Sequence, residues 1–465
     1  MDSLLCDELI QEIFQKLPSP SSSAVSLVSK RWLRLYRTSK TALSLRLCDS
    51  SVSSLSSLLS HYPFLSSLSI LSADSSAVPT ATLSTQVIWK IRRFCENLQS
   101  LRLLAGPVSL SSLISLSSVC THLASLSINI SRPLNFRWVV NFPSLKSLSV
   151  SVSSGEGFEI ELNSDDWEWE SADLAIQSLC LSGLRAGDWG AGWLWRSCKN
   201  LRQLQLRSCE TVGDGGSFSS FVECLPSLHE VELRTCRSIA DGVLMKLADN
   251  CRNLTSLLVY DGGSREGLLR FLNDHRTELQ SLDLRLPLDL NNEHLTAIAA
   301  NLRGLSSLRL QSCCLVTGDG LKAIGLALGP CLEELALINC DVVARESGLL
   351  ATMGQSLKQL KTLDLSYNEM LLDKDFSSMI ISCSSITELN LRGCKGLTGA
   401  SILATWRSCK NLEAIDIVQC PRIQASALEL CVLNLPKLRQ LKVEDDRVSD
   451  IVGSSASRRF VDIVV

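Results

Sequence analysis

A six-residue pattern, L-x-x-L-x-L, recurs along most of the chain, with aliphatic residues in the fixed slots and mainly polar residues between them. It stands at Leu65-Leu68-Ile70, Leu98-Leu101-Leu103, Leu123-Leu126-Ile128, Leu145-Leu148-Val150, Ile176-Leu179-Leu181 and Leu201-Leu204-Leu206. It continues at Leu228-Val231-Leu233, Leu254-Leu257-Val259, Leu279-Leu282-Leu284, Leu305-Leu308-Leu310 and Leu332-Leu335-Leu337. The last four copies are Leu360-Leu363-Leu365, Ile386-Leu389-Leu391, Leu412-Ile415-Ile417 and Leu438-Leu441-Val443. From Ile176 onward the copies are 25, 27, 26, 25, 26, 27, 28, 26, 26 and 26 residues apart. Leu43-Ser44-Leu45-Arg46-Leu47, led by Ala42, reads as a degenerate first copy. In L-x-L the two leucines share one face and the residue between them takes the other, which predicts a short half-buried parallel strand. Stretches such as Gly242 to Leu247 and Glu293 to Ala300 predict helical returns with an apolar side behind the strand. No copy buries both faces alone. The pattern therefore predicts an α/β solenoid over residues 42–445, a horseshoe with an inner parallel sheet, outer helices and one continuous core.

Residues 1–41 leave this frame. From Asp7 to Leu17, the residues Leu9, Ile10, Ile13, Phe14 and Leu17 form one apolar helical stripe, with Asp7 and Glu8 at the end that suits the helix dipole. Pro18-Ser19-Pro20 stops that helix. Ser21 to Ser23 offer caps for a second short helix through Ala24, Val25, Leu27 and Val28, and Lys30 to Leu35 continue the module. Three helices in about 35 residues make too little core to stand alone, so they need a partner or the first repeats. Residues 446–465 fall outside the repeat and are expected to cap it or form a flexible tail.

Composition narrows the chemistry. A net charge of -3 supplies no global field for nucleic acid, and no apolar run reaches the roughly 18 residues of a membrane span. The acidic opening Met1-Asp2-Ser3-Leu4-Leu5-Cys6-Asp7-Glu8 lacks a secretory n-region, and 19 cysteines then imply reduced thiols in the nucleus or cytoplasm. No C-x-x-C pair occurs and His61, His122, His229, His275 and His294 are scattered, so neither a metal nor a cofactor is expected. No phosphate loop or nucleophile elbow points to an enzyme. The repeat absorbs most of the cysteines. Cys209, Cys236, Cys313, Cys340, Cys394 and Cys420 lie eight residues after the first Leu of their copies. Cys95, Cys120, Cys198, Cys251, Cys383 and Cys409 lie three before it. Such columns suit small buried packing residues.

Cysteine at the strand-closing turn resembles the cysteine-containing subclass of leucine-rich repeats. The N-terminal segment resembles the F-box, Leu-Pro-x-Glu-Leu-x-x-x-Ile-Phe-x-x-Leu followed by Lys-Arg-Trp. Here Leu5, Glu8, Leu9, Ile13, Phe14 and Leu17 match, then Leu27, Val28, Ser29, Lys30, Arg31 and Trp32, with Cys6 in place of the usual proline. Together these features are similar to F-box/leucine-rich-repeat proteins, the plant members above all. The resemblance implies a non-catalytic substrate-recognition subunit of an SCF-type ubiquitin ligase. Its F-box would dock a Skp1-like adaptor, which leads to a cullin and a RING subunit, and its repeats would hold the protein substrate. Carried over by position, Leu5, Leu9, Ile13 and Phe14 are the candidate adaptor face, while Leu17, Leu27, Val28 and Trp32 fit either that face or the module's own core. Alternatives are an interaction scaffold whose first helices only cap the solenoid, or a receptor gated by a small molecule on the same ligase framework.

For the substrate, the strand positions six residues after the first Leu include Arg207, Arg234, Tyr260 and Arg285, a basic and aromatic row suited to an acidic or phosphorylated segment. The neighbouring row contains Glu232, Asp283, Asp364 and Asp416, together with Arg309, which favours ion pairing between neighbours instead. The stretches from Leu65 to Leu98 and Leu145 to Ile176 exceed the repeat length. The second holds Trp167 and Trp169 among acids, an acidic aromatic recognition loop or an edge cover, and the first includes a flexible-looking Ser72 to Pro79. Trp189, Trp193 and Trp195 suit an atypical helical return.

Overall fold

The computed structural model describes residues 5–17, 22–48, 51–73, 81–153, 172–215, 217–275, 277–287 and 289–464. Two compact units divide the chain, Met1–Cys224 and Leu225–Val465.

The first unit begins with α1 (Asp7–Lys16), α2 (Ser22–Val25) and α3 (Lys30–Ser39). Strands and returns then alternate: β1 (Ala42–Leu47), α4 (Val52–Leu59), β2 (Ser67–Ser72), α5 (Ala81–Phe94), β3 (Ser100–Pro107), α6 (Leu110–Ser117) and β4 (Ser125–Ile130). After them come β5 (Ser147–Val152), β6 (Ser178–Ser182), α7 (Ala191–Ser197) and β7 (Gln203–Arg207). Neighbouring strands are parallel and pair like with like, so that Leu68, Leu101, Leu126, Leu148, Leu179 and Leu204 form one buried row. Only 22 residues separate Leu123 from Leu145, and there the return shrinks to a 3-10 helix, Arg137–Asn141. In α7, Trp195 is fully buried, donates from Nε1 to the Val212 carbonyl at 2.8 Å and meets Phe221 edge-on at 5.2 Å, which makes it part of the helical return. Trp189, by contrast, is exposed.

The second unit repeats the motif with β8 (Glu230–Arg234), α8 (Ala240–Asn250), β9 (Ser256–Tyr260), α9 (Arg265–Asp274), β10 (Ser281–Arg285), α10 (Asn292–Asn301), β11 (Ser307–Gln311) and α11 (Gly318–Leu328). It goes on through β12 (Glu334–Ile338), α12 (Val342–Arg345), α13 (Leu349–Ser356), β13 (Thr362–Asp364), α14 (Asp373–Ile380), β14 (Glu388–Asn390) and α15 (Gly399–Ser408). It closes with β15 (Ala414–Asp416), α16 (Ala425–Asn434), β16 (Gln440–Lys442), α17 (Asp450–Arg459) and β17 (Asp462–Val464). Its strands are parallel too, and β17 pairs with β16, so the stretch expected to cap or fray contributes a helix and a strand.

Each strand of the second unit from β8 to β15 ends on a left-handed residue seven positions after the leading aliphatic. These are Thr235, Asp261, Leu286, Ser312, Asn339, Tyr367, Gly393 and Gln419, with φ between 48° and 72°. That turn swings the eighth residue inward, at a cost of about 1 kcal/mol for a residue with a Cβ. Three of the eighth-position thiols then hydrogen-bond back to the preceding repeat: Cys340 donates to Leu310 at 3.5 Å, Cys394 to Leu365 at 3.1 Å and Cys420 to Leu391 at 3.0 Å, each at a carbonyl oxygen. Asn368 occupies the same column and does more. Its Nδ2 donates to the Leu337 and Leu365 carbonyls and its Oδ1 accepts from the Cys340 amide. The other cysteine column behaves alike, with Cys409 donating to the Cys383 carbonyl at 3.4 Å, and Cys120 to that of Cys95 at 3.5 Å in the first unit. Burial pushes the Cys95, Cys198, Cys394 and Cys409 thiols up to about 12, so at neutral pH they are protonated packing groups.

The helix starts of the second unit are latched from one repeat to the next. Asp241 accepts from the Ser264 amide at 2.7 Å, Asn292 from the Thr317 amide at 3.0 Å, and Asp373 from the Thr398 amide at 2.9 Å and its hydroxyl at 2.6 Å. Ser264, Thr317 and Thr398 are the N-cap residues of α9, α11 and α15. Gly267 leaves room for one such reach, since a Cβ there would lie 2.2 Å from the Asp241 carboxylate.

Candidate adaptor and partner surfaces

Helices α1 to α3 close on a core of Ile10, Phe14, Val25 and Leu35, with Leu5, Leu17, Trp32 and Tyr36 at its margin. The Phe14 ring meets Trp32 at 5.5 Å and Tyr36 at 6.0 Å, both edge-on. Arg31 fastens the start of α1: its Nε donates to Asp7 at 3.0 Å and its Nη2 to the same carboxylate and to the Leu5 carbonyl, the latter at 2.8 Å. Ser29 begins α3 by accepting from the Trp32 amide at 3.2 Å. Because that cap interrupts the chain, Leu27 and Val28 fall in the turn after α2. Leu27 is 86% exposed and Val28 59%, and on α1 Leu9 and Ile13 are 48% and 39% exposed one helical turn apart. Burying a side chain of this size is worth about 1.5–3 kcal/mol, so four of them left in water on so small a module mark a contact surface.

The open sheet face of the second unit is built from ion pairs. On β8 and β10, Arg234 pairs with Glu232 at 2.9 Å and Arg285 with Asp283 at 2.7 Å, two residues apart on the same strand. Between these strands Tyr260 of β9 sits in register with both arginines. Arg309 of β11 approaches Asp283 at 3.6 Å and reaches Asp364 of β13 at 3.3 Å, passing β12, where the matching residue is the small Ala336. Asp364 also accepts from the Ser366 amide at 3.0 Å and from its hydroxyl. Arg392 pairs with Asp416 at 3.2 Å. In each of these pairs the carboxylate is the more buried partner. In the first unit, Arg207 donates to its own strand neighbour Gln205 at 2.7 Å.

The chain matches the F-box domain family over residues 3–38. The exposed aliphatics and the closed three-helix core lie within that stretch, and the parallel strand and helix repeats follow it. The chain thus carries an F-box domain ahead of its strand and helix repeats. A cattle protein (Bos taurus), F-box/LRR-repeat protein 4, is 28% identical over 185 residues, 39% of this chain and 29% of that protein's length. Among solved structures, the Rad7 and Elc1 complex in yeast is 15% identical, with 98% of this chain and 92% of that chain covered and a TM-score of 0.46. The TLR13-ssRNA13 complex is 16% identical, with 87% and 60% covered and a TM-score of 0.49.

The F-box geometry corrects the sequence expectation at Phe14 and decides an open alternative at Leu27 and Val28. Phe14, assigned to the adaptor face, is 8% exposed and forms the centre of the F-box core because Trp32 and Tyr36 of α3 close over it. Leu27 and Val28, equally eligible for that core, are instead exposed. Leu5 is half-buried against the core, and Leu9 and Ile13 stay outside. Cys6, in the position of the family's proline, is the exposed N-cap of α1, and its carbonyl accepts from the Ile10 amide at 3.2 Å. The helix start is thus made without proline. Pro18 to Ser21, the loop from 74 to 80, and Trp167 and Trp169 lie outside the described residues, as do the side chains of Ser22 and Ser23. Among the described residues no group of three His, Cys, Asp or Glu is placed to hold a metal, and no helix is long and apolar enough to cross a membrane.

Proposed function

We propose that this protein is the substrate-recognition subunit of an SCF-type ubiquitin ligase. Its F-box docks a Skp1-like adaptor through Leu9, Ile13, Leu27 and Val28, and its repeats hold a protein substrate. The observation that carries this reading is the F-box whose own core is complete while these four aliphatic side chains face water. The protein itself performs no bond chemistry. It raises the effective concentration of a substrate lysine beside the ubiquitin thioester carried elsewhere in the ligase, a gain from proximity alone.

Leu9→Asp with Ile13→Asp tests it directly. Both positions are exposed, so the fold should survive, which the helical circular dichroism signal of the full chain checks. Burying two aliphatics supplies several kcal/mol, and the pair of charges should weaken capture of a Skp1-like adaptor by about a hundredfold or more. Equal adaptor capture by the variant, or none by the parent chain, would leave the F-box as a mere cap on the repeats.

A further inference from the structure

The open sheet face of the first unit differs from that of the second in one chemical respect. Its outward strand positions, from Ala42 on β1 to Arg207 on β7, contain no carboxylate. Charge there comes from Arg46, Arg102 and Arg207, all exposed. Arg207 donates to Gln205, whereas Arg46 and Arg102 form no ion pair with any carboxylate among the described residues. Arg46 on β1 is in register with Leu71 on β2, and Leu71 with Leu104 on β3, so a half-buried apolar pair lies beside the arginine. Arg102 stands two residues earlier on β3, in register with Ser69. From strand spacing and rise, the two arginine Cα atoms are about 12 Å apart. The surrounding positions are short and neutral, as at Ser69, Ser127 and Ser149, so a partner's backbone can approach the sheet between the long arginine side chains.

Guanidinium groups on a protein face are satisfied best by carboxylate or phosphate oxygens in bidentate geometry. In the second unit the chain provides those oxygens itself, from Glu232, Asp283, Asp364 and Asp416. In the first unit the same kind of face withholds them. We infer that the open sheet face around Arg46, Arg102 and the Leu71/Leu104 pair docks an acidic segment of a protein partner, with an apolar residue seated between its carboxylates. The arginines fix the acids and the leucine pair takes the apolar side chain. The inference deepens the receptor reading, since the partner is then the substrate or one part of it, and it moves the search for substrate contacts away from the paired arginines of the second unit.

The probe is a fluorescein-labelled peptide with a Glu-Glu-Leu-Glu-Glu centre flanked by Gly-Ser, titrated with the full chain by anisotropy at several salt concentrations. A version with Gln for every Glu and a version with phosphoserine for Glu are run beside it. The Glu peptide should bind, with affinity falling as salt rises. Arg46→Gln with Arg102→Gln should weaken it at least about tenfold and flatten the salt dependence, since each lost charge-assisted contact is worth a factor of that order. Arg270→Gln, on helix α9, should change nothing. Absence of binding by the parent chain overturns the inference, as do equal binding by the double variant or equal binding of the Gln peptide. Binding of the phosphoserine peptide alone would make this a phosphate site and overturns it equally. Adaptor capture by the same preparation is read separately: its loss with peptide binding intact sinks the receptor reading only, and the reverse result sinks only this inference.

Discussion

The two units share a repeat, a buried leucine row and a parallel register, yet their open sheet faces are chemically opposite. In the second unit, acids lie beneath arginines and form a self-contained lattice; in the first, serines make the floor and two arginines stand without acids. The repeat dictates only the inward residues, because alternate positions on a strand never share a face. Outward positions are left free of the fold's demands, so their chemistry is evidence about use. A face whose charges are already matched stabilises itself, while a face with unmatched cations is completed by something else.

Removing a buried acid from the matched face should have the largest effect on that contrast. Asp364 is 6% exposed and holds Arg309, the Ser366 amide and the Ser366 hydroxyl at once. Asp364→Ala leaves Arg309 with only its longer contact to Asp283 and a buried hydroxyl without its acceptor, and should destabilise the second unit by about 2–3 kcal/mol. Hydrogen exchange resolved by peptide would read this as faster exchange in β11 to β14 with first-unit peptides unchanged. A change under about 0.5 kcal/mol would mean that the acid lattice is surface decoration.

The latch at Asp373 should show a smaller effect, with a pH signature. Burial by itself raises the Asp373 carboxyl, but hydrogen bonds from Ser401 and Thr398 outweigh it and hold the group below its ordinary value. A folded-state value below the unfolded one contributes stability that is present above about pH 4 and lost as pH falls through the folded value. Asp373→Ala should therefore cost about 1 kcal/mol at neutral pH, the usual worth of a helix cap, and should remove part of the acid-induced loss seen in the parent chain. An unchanged acid limb in denaturant titrations would assign the pH dependence to other carboxylates. In the first unit α6 is capped from within by Ser109, which accepts from the Ser112 amide, so the same substitution logic there is local to one helix.

Much of this was legible in the chain itself, and the exceptions have physical causes. The strands, their register and the two cysteine columns follow from period-2 alternation and a near-constant step, signals that tertiary context cannot easily override. The F-box core was less legible because Ile13 and Phe14 belong to one apolar stripe. Only the seating of Trp32 and Tyr36 decides which of them turns inward. Leu27 and Val28 carry no mark of exposure; what puts them in a turn is the Ser29 cap that starts α3 just behind them. Ion pairing on the second unit's face was foreseen between neighbouring strands. Part of it instead runs within a strand, as in Arg285 with Asp283, and one pair, Arg309 with Asp364, skips the strand where the small Ala336 intervenes. The left-handed turn residues and the helix latches gave no warning, since Leu286 or Tyr367 at positive φ runs against local preference and Asp373 looks like any first-turn acid.

The smallest expected effect sharpens the comparison most. If Arg46 and Arg102 have no carboxylate partner within the chain, removing one of these charges removes no native ion pair. Arg102→Gln should then leave denaturant stability within about 0.5 kcal/mol of the parent, and so should Ser149→Ala on the same face. Arg285→Gln on the second unit's face should cost more, about 1 kcal/mol, because Asp283 loses a bidentate partner and keeps only the longer contact to Arg309. The ratio matters more than either value, since all three substitutions fall on outward positions of the same strand type and change little buried apolar area. A loss of 1 kcal/mol or more at Arg102 would reveal an acceptor for its guanidinium inside the folded chain, and the first face would then be a matched surface like the second.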